Sequence, residues 1–338
     1  AWQRTLYDSG WVAVHWPRQH GGRGASLTET AIYQEEMARA RAPQVMNRVG
    51  VNNVGPTLIA HGTEAQRRRY LPAILSGEEI WCQLYSEPNA GSDLASLRTR
   101  AEKQGDHYVV NGQKVWTSYA QFASFAILLA RTDPKAPVHR GISCFIVDMR
   151  SPGLTIRPLR QLTGSAEFSE TFFDNVILPR ENLIGAENAG WQVATVTLAH
   201  ERGTSFCFKE QVLARIDVDE LGDALRARGA AADPIWRQRF AASFIDVEIM
   251  RLHNCATMTR LARGALPGAE SSLVKLFWAA LSQRVTAFGL DARGPAAQLN
   301  SGRWPQRYLW SLCGSIAGGT DEIQRNIIAQ RLLGLPRA

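Results

Sequence analysis

One carboxylate of this chain lies where it could act as a general base. An apolar stripe repeats every three to four residues along a predicted helix and ends in that carboxylate; its members are Trp191, Ala194, Leu198 and Glu201. Burying a carboxylate is costly unless it has a function or a partner. Two interpretations stay open. Glu201 removes a proton in a water-poor pocket, or it forms an ion pair between helices, with Arg202 or a more distant arginine.

A tryptophan followed by two hydroxyl residues could bind a flat ring. Trp116, Thr117 and Ser118 come at the end of a predicted strand, and together they offer an indole wall with hydrogen-bond donors beside it. Taken alone, a tryptophan at the end of a strand is more often part of a core than the wall of a cofactor site. The interpretation therefore depends on other segments.

A double-glycine turn opens the last predicted helix. Gly318 and Gly319 allow a tight turn, and Thr320 is placed to cap the helix that follows. Gly334 and Pro336 come after it, and residues of these types commonly end a helix. Such a turn could also be an ordinary loop.

Three segments, taken in order, resemble the signature segments of the acyl-CoA dehydrogenase family. They are Ser86-Glu87-Pro88-Asn89-Ala90-Gly91-Ser92-Asp93, Asn111-Gly112-Gln113-Lys114-Val115-Trp116-Thr117-Ser118 and Gly318-Gly319-Thr320-Asp321-Glu322-Ile323-Gln324-Arg325-Asn326. The resemblance extends from about Gly10 to Arg337. It implies an α+β, acyl-CoA dehydrogenase-like fold with an N-terminal helical domain, a middle β-barrel domain and a C-terminal four-helix bundle.

The resemblance implies FAD as the cofactor and assigns residues to it. Trp116 would line the flavin ring, and Ser118 would bond near its N5. The expected cofactor-binding residues are Tyr85 (through its backbone), Ser86, Ser92, Trp116, Ser118, Thr320 and Glu322. No metal site is expected. Ser92, Arg202 and Gly318 are the residues expected on the substrate side.

The family also implies where the base lies. Many members carry a glutamate directly before the Gly-Thr of the last turn, but this chain has Gly318 there. A second family arrangement places the glutamate in a segment ending Glu-Arg, which matches Glu201 and Arg202. We expect Glu201 to be the base and Arg202 to orient or neutralise it. The glycine would leave room for a branched or bulky acyl group, such as a steroid side chain.

Two family segments are absent or altered. No Arg-x-x-Phe-Gly segment, which in the family reaches the flavin of a neighbouring subunit, occurs between Gly203 and Pro234. A later segment with glutamine and paired glycines appears as Asp291-Ala292-Arg293-Gly294-Pro295, where a carboxylate near a diphosphate would be unfavourable. This pattern resembles the branch that handles steroid side-chain thioesters, in which two different chains can share one active site.

Length, composition and charge narrow the class of protein. A chain of 338 residues predicts two or three domains, which we place at 1–78, 79–186 and 187–338. The net charge of +7 comes without a basic tract interleaved with aromatics, so nucleic acid is not an expected partner, whereas a coenzyme A thioester is.

Five scattered cysteines form no metal or disulfide pattern, and no apolar run reaches the roughly 18 residues of a membrane span, so we expect a cytoplasmic protein. The chain opens without methionine, and we expect further helical residues before Ala1.

Three functions are therefore compared. The leading one is FAD-dependent α,β-dehydrogenation of an acyl-CoA to the trans-2-enoyl-CoA, with electrons passing to electron-transfer flavoprotein or a similar acceptor. The second is a non-catalytic or half-site subunit of a heteromeric acyl-CoA dehydrogenase. The third is a flavin monooxygenase or oxidase on the same fold. The family implies a homotetramer or an α2β2 heterotetramer with a related chain.

Overall fold

A computed structural model describes residues 1–201, 204–265, 268–299 and 301–336, with the side chains of 201 and 204–207 outside the description. The chain divides into two compact units. The first comprises Ala1–Ala25 and Pro43–Glu201, and the second comprises Ser26–Ala42 and Arg202–Ala338. The domain boundaries predicted from sequence stay a prediction.

Ten helices are described in chain order. They are α1 (Trp2–Asp8), α2 (Leu27–Arg39), α3 (Gly55–His61), α4 (Glu64–Ser76), α5 (Gly190–Glu201), α6 (Thr204–Ala227), α7 (Pro234–Ala262), α8 (Glu270–Arg293), α9 (Arg303–Ser311) and α10 (Asp321–Arg331). Local chemistry explains several of the ends. Capping boxes begin α2 at Ser26 and α4 at Thr63, and Gly77 ends α4 with φ of 79°.

Eight described strands form the middle of the first unit. They are β1 (Trp81–Leu84), β2 (Arg100–Gln104), β3 (His107–Ser118), β4 (Phe125–Arg131), β5 (Ile142–Asp148), β6 (Leu154–Leu159), β7 (Phe168–Pro179) and β8 (Leu183–Ile184). They form one sheet in the order β6-β7-β3-β2-β4-β5-β8, with β1 paired in parallel to β4. β4 and β5 are buried along nearly their whole length, as their continuous apolar sequences require.

The long strand β3 carries the residues of interest. It pairs with β2 on one side and β7 on the other, both antiparallel. Its register against β7 shifts between Lys114 and Thr117, where two residues of β3, Val115 and Trp116, stand opposite one residue of β7. This bulge contains Trp116, whose φ is 61°. The bulge breaks the alternation of the strand and turns the indole outward.

The second unit is helical. Helices α6, α7 and α8 pack together around an apolar core, α2 packs on α6, and α9 and α10 pack on α8. The core side chains include Val218, Leu221, Val247, Met250, Trp278, Leu281 and Phe288. The predicted α+β class is confirmed, with helices at both ends of the chain and strands between them. None of the described helices combines the length and apolar character that crossing a bilayer requires.

Candidate functional site

Two of the family-like segments meet in the first unit. The bulge in β3 frees the backbone N–H of Val115 from the sheet, and this group donates to the carbonyl oxygen of Ser86 at 2.9 Å. One residue earlier, Lys114 Nζ donates to the carbonyl oxygen of Tyr85, also at 2.9 Å. The Tyr85–Glu87 segment, which leads into the Glu87–Ala90 turn, is thereby fixed against the end of β3, beside Trp116. Segments about 30 residues apart in sequence form one continuous surface.

A buried ion pair holds this junction. Lys114 is fully buried, and its Nζ lies 2.9 Å from Oε1 of Glu87. The Glu87 carboxylate also accepts from the backbone N–H groups of Arg98 at 2.7 Å and Thr99 at 2.8 Å. With four hydrogen bonds among them, both charged groups are satisfied, as a buried pair requires. The sequence alone indicates no separate role for Lys114 or Glu87.

The two charges shift each other's titration. Burial lowers the pKa of Lys114 to about 8, and the carboxylate of Glu87 opposes that shift. Burial also raises the pKa of Glu87, but the ammonium of Lys114 and the N–H donors outweigh it, so the pKa lies below its ordinary value. Both groups are charged near neutrality.

Trp116 presents a flat aromatic face. Its side chain is 61% exposed, and its ring meets that of Phe168 edge-on, with the centroids 6.3 Å apart. A bulky residue with a left-handed backbone conformation is a strained feature of the kind that clusters at ligand sites. Trp116 thus has neither the burial nor the backbone of a core residue.

Several hydroxyl groups around this surface lack protein partners. Within the described ranges, the side chains of Ser86, Ser92 and Ser118 form no hydrogen bond, and the buried Oγ1 of Thr117 has no partner. Ser86 and Ser118 are partly buried, whereas Ser92 is exposed in the turn that follows. An exposed ring with unpaired hydroxyls beside it fits the needs of a flavin, which requires a flat wall and hydrogen-bond donors.

A chain of hydroxyl groups links Tyr85 to α5. Its phenol donates to Oγ1 of Thr197 at 3.0 Å, and Thr197 lies 2.9 Å from Oγ1 of Thr57. Thr197 is fully buried and donates back to the carbonyl oxygen of Val193 within α5. This network fixes α5 to the turn that carries Ser86.

The predicted stripe of α5 faces the core. Ala194 is fully buried, and Trp191 and Leu198 pack against the apolar cluster of the first unit. Glu201 is the last residue of α5, and its side chain lies outside the described residues, as does Arg202. Their assignment as base and orienting residue stays a prediction.

The double-glycine turn lies in the second unit. Gly318 and Gly319 have φ of 67° and 93°, and a Cβ on Gly319 would come within 2.7 Å of Gln324 Nε2. The amide of Gln324, fully buried, donates to the carbonyl oxygens of both glycines at 3.0 and 3.1 Å. The predicted cap is confirmed, since Thr320 Oγ1 accepts from the N–H of Ile323. Gln324, for which the sequence alone indicates no role, therefore sets the shape of this turn.

The first turn of α10 is acidic and anchored. Glu322 is exposed and lies 3.7 Å from Arg325 in an ion pair. Its own backbone N–H and the hydroxyl of Thr320 lower the pKa of its carboxyl. Asp321 contacts the nearly buried Lys275 of α8 at 3.3 Å, which fixes the start of α10. Thr320 and Glu322 thus lie at a rigid helix start.

Comparisons with known proteins cover nearly the whole chain. The acyl-CoA dehydrogenase N-terminal, middle and C-terminal domain families match residues 1–78, 82–176 and 188–333. Acyl-CoA dehydrogenase IpdE1 of Mycobacterium tuberculosis is 43% identical over 100% of this chain and 88% of its own length. The steroid acyl-CoA dehydrogenase Tcur3481-Tcur3483 superposes with a TM-score of 0.90 at 32% identity, covering 99% of this chain and 88% of that one.

A heteromeric complex is also similar. The ChsE4-ChsE5 complex of Mycobacterium tuberculosis gives a TM-score of 0.87 at 34% identity, over 100% of this chain and 90% of the matched one. The three domain matches and the full-length relatives confirm the resemblance drawn from the signature segments. The chain belongs to the acyl-CoA dehydrogenase family of oxidoreductases.

Proposed function

We propose that the chain catalyses FAD-dependent α,β-dehydrogenation of an acyl-CoA thioester to the trans-2-enoyl-CoA, and that the acyl group is branched or bulky, like a steroid side chain. The observation that carries this proposal is the joined surface of the first unit. There, an exposed tryptophan in a left-handed bulge is fixed to a serine turn whose hydroxyls have no partner in the described part of the chain. The similarity to IpdE1 and to a steroid acyl-CoA dehydrogenase supports the substrate class.

Each residue has a defined task in this proposal. FAD, when bound, supplies the acceptor for the hydride that leaves the β-carbon. Trp116 provides the wall for its ring, and the hydroxyls of Ser86 and Ser118 donate to it. Glu201 takes the proton from the α-carbon in a pocket that excludes water, which keeps the carboxylate basic. The double bond forms as both leave.

The remaining contacts are assigned to the second unit and to the substrate. From the family resemblance we assign Thr320 and Glu322 to cofactor binding, and Ser92, Arg202 and Gly318 to the substrate. A flavoprotein such as electron-transfer flavoprotein then takes the electrons.

A half-site role is the second candidate, favoured by a specific observation. The interface segment of the family is missing from the sequence, and similar structures include a complex of two different chains. Helix α7 also exposes an apolar stripe at helical spacing, with Ile245 56%, Ile249 36% and Leu252 58% exposed. A homotetramer or an α2β2 assembly would cover this stripe.

One experiment separates these candidates. We expect the chain purified alone to show a flavin absorbance spectrum that bleaches on anaerobic addition of a branched or steroid-type acyl-CoA. A colourless chain that gains flavin and activity only with a related partner would instead establish the half-site role. A flavin spectrum that no acyl-CoA bleaches would contradict the proposed reaction.

The Trp116 assignment has its own test. Trp116→Ala should lower the flavin content of the purified protein, because the ring that stacks on the cofactor is lost, while the thermal unfolding midpoint of the flavin-free protein changes little for so exposed a side chain. Flavin per chain is measured by absorbance. The matched control is Trp11→Ala, a tryptophan 41% exposed in the same unit, which should leave flavin content unchanged. Equal flavin content in both variants would reduce Trp116 to a packing role.

A further inference from the structure

Arg48, in the first unit, has no anionic partner among the residues that the structure describes. Arg48 is partly buried, and its guanidinium carbon lies 5.5 Å from the centroid of the Tyr119 ring. Counting only the residues that the structure describes, it forms no hydrogen bond and no ion pair. A guanidinium carries five N–H donors, and when it is partly desolvated it is stabilised by acceptor oxygens. Because the described protein residues supply none, these donors are available to a ligand.

The backbone at Arg48 is held rigidly. The preceding residue, Asn47, is fully buried, and its amide donates to the carbonyl oxygens of Ile74 at 3.0 Å and Glu79 at 2.8 Å. Its Oδ1 accepts from the backbone N–H of Trp81 at 2.8 Å. Because the main chain is already fixed, binding a ligand has to order the Arg48 side chain but not its backbone.

Arg48 is beside the proposed flavin strand. Tyr119 directly follows Ser118, and its φ of 59° turns the chain at the end of β3. The guanidinium over its ring therefore lies near the reacting end of the proposed site. The phosphates of coenzyme A are separated from the thioester by the length of the pantetheine arm, so an acyl substituent is the nearer source of acceptor oxygens.

Further polar side chains continue from Arg48 toward the base helix. Asn53 Nδ2 donates to Oε1 of Gln83 at 3.3 Å, and both side chains are partly exposed. The segment then reaches Thr57, which contacts Thr197 of α5, four residues before Glu201. We call Arg48, Asn53 and Gln83 the polar wall.

We propose that the polar wall is a subsite for an oxygen-bearing group on the acyl chain, a carboxylate or a ketone, with Arg48 as its main donor. This inference rests on the proposed function, because it assumes that the acyl group enters beside Ser118. A purely hydrocarbon acyl group would desolvate the Arg48 guanidinium without offering it an acceptor, which is unfavourable. The arrangement therefore selects oxygenated thioesters over hydrocarbon ones.

Binding and turnover are measured separately on three matched thioesters. They share one acyl length and end in a methyl group, a methyl ketone or a carboxylate. Calorimetry on the flavin-containing protein gives each Kd, and anaerobic bleaching reports dehydrogenation. We expect the wild type to bind the carboxylate or ketone thioester about tenfold or more tightly than the methyl one. Arg48→Gln should remove that preference and leave the Kd of the methyl thioester unchanged.

The controls separate the possible failures. Arg157→Gln, at an exposed arginine over the ring of Phe172, removes a similar arginine–aromatic contact and should keep the preference. If Arg48→Gln weakens free coenzyme A and all three thioesters equally, the arginine binds a phosphate and the acyl subsite is refuted. An unchanged ratio of Kd values in Arg48→Gln also refutes it. If the preference is present but nothing bleaches the flavin, the subsite stands and the dehydrogenation is contradicted. Failure of the wild type to bind any thioester refutes both.

Discussion

Replacing Glu201 with glutamine is expected to lower the rate of dehydrogenation by about 10²- to 10⁴-fold, the range that a general base contributes. Flavin content and thioester affinity should stay close to those of the wild type, because the amide keeps the size and polarity of the side chain. The measurement is the first-order rate of flavin bleaching by a bound acyl-CoA under anaerobic conditions. Single-turnover bleaching isolates the proton and hydride transfer from reoxidation by the acceptor.

The expectation follows from the geometry of α5 and from the last turn. Ala194 and Thr197 of α5 are fully buried, and in the sequence Glu201 follows Ala194 and Leu198 at helical spacing. The alternative position for a base holds Gly318, which has no side chain. Thr197 is fixed by hydroxyl contacts to Tyr85 and Thr57, which hold the helix in place one turn before Glu201.

A structural ion pair would behave differently. Glu248 of α7 contacts Arg215 at 2.9 Å and Arg251 at 2.8 Å, and Glu248→Gln serves as the matched control. Losing such a pair should lower the unfolding midpoint slightly without changing the bleaching rate. If Glu201→Gln shows that same pattern, Glu201 is not the base.

The helical character of the last part of the chain follows from the resemblance, but its individual helices do not. The resemblance implies a C-terminal four-helix bundle, which we place at 187–338, and α6 to α10 lie there. Helix α6 spans 24 residues, although none of the motifs and stripes described above marks it. Its sequence carries β-branched residues such as Val212, Ile216 and Val218, which lower intrinsic helix propensity. Packing against α7, α8 and α2 stabilises α6 as a helix despite this low intrinsic propensity.

The site was predicted from motifs, but the groups that assemble it were not. A lysine in a strand suggests a solvated face, because an isolated buried ammonium is very costly. Lys114 lies on the same face of β3 as the buried Tyr108 and Val110, and its ammonium is stabilised there because Glu87 arrives from a distant turn. Neither the bulge in β3 nor that turn contact has a local sequence signal. The only sequence signal for the pair is that each of the two motifs contains a residue of opposite charge, Glu87 in one and Lys114 in the other.

Replacing Lys114 with methionine is expected to lower the free energy of unfolding by about 3 kcal/mol, because it leaves the buried Glu87 carboxylate without its cation. Flavin content should fall as well, since Lys114 also holds the carbonyl of Tyr85 in the turn that carries Ser86. Unfolding of the flavin-free protein is followed by circular dichroism, and flavin per chain by absorbance. A loss of stability with full flavin retention would mean that the pair supports the sheet but not the site.

The difference in stability between the wild type and Lys114→Met should change with pH in a defined direction. In the wild type the pKa of Glu87 lies below its ordinary value of 4.5. The ionised carboxylate therefore contributes its full share to the free energy of unfolding above pH 4.5, and this share is lost as the pH falls through the folded-state pKa. In Lys114→Met the same carboxyl is buried without a cation, so its pKa rises above that value and the folded variant takes up a proton as pH falls. The stability gap between wild type and variant should therefore narrow on acidification from pH about 7 to about 5.

An exposed ion pair of the same unit provides the comparison. Lys103 Nζ lies 2.8 Å from Oε2 of Glu187, but the two side chains are 43% and 34% exposed. Lys103→Met should cost less than about 1 kcal/mol and change neither flavin content nor the pH dependence, because water stabilises the remaining carboxylate. If Lys103→Met and Lys114→Met behave alike, burial does not set the strength of the Lys114–Glu87 pair. The larger loss in Lys114→Met, narrowing with acid, would instead establish that one buried ion pair joins the two segments on which the proposed flavin site depends.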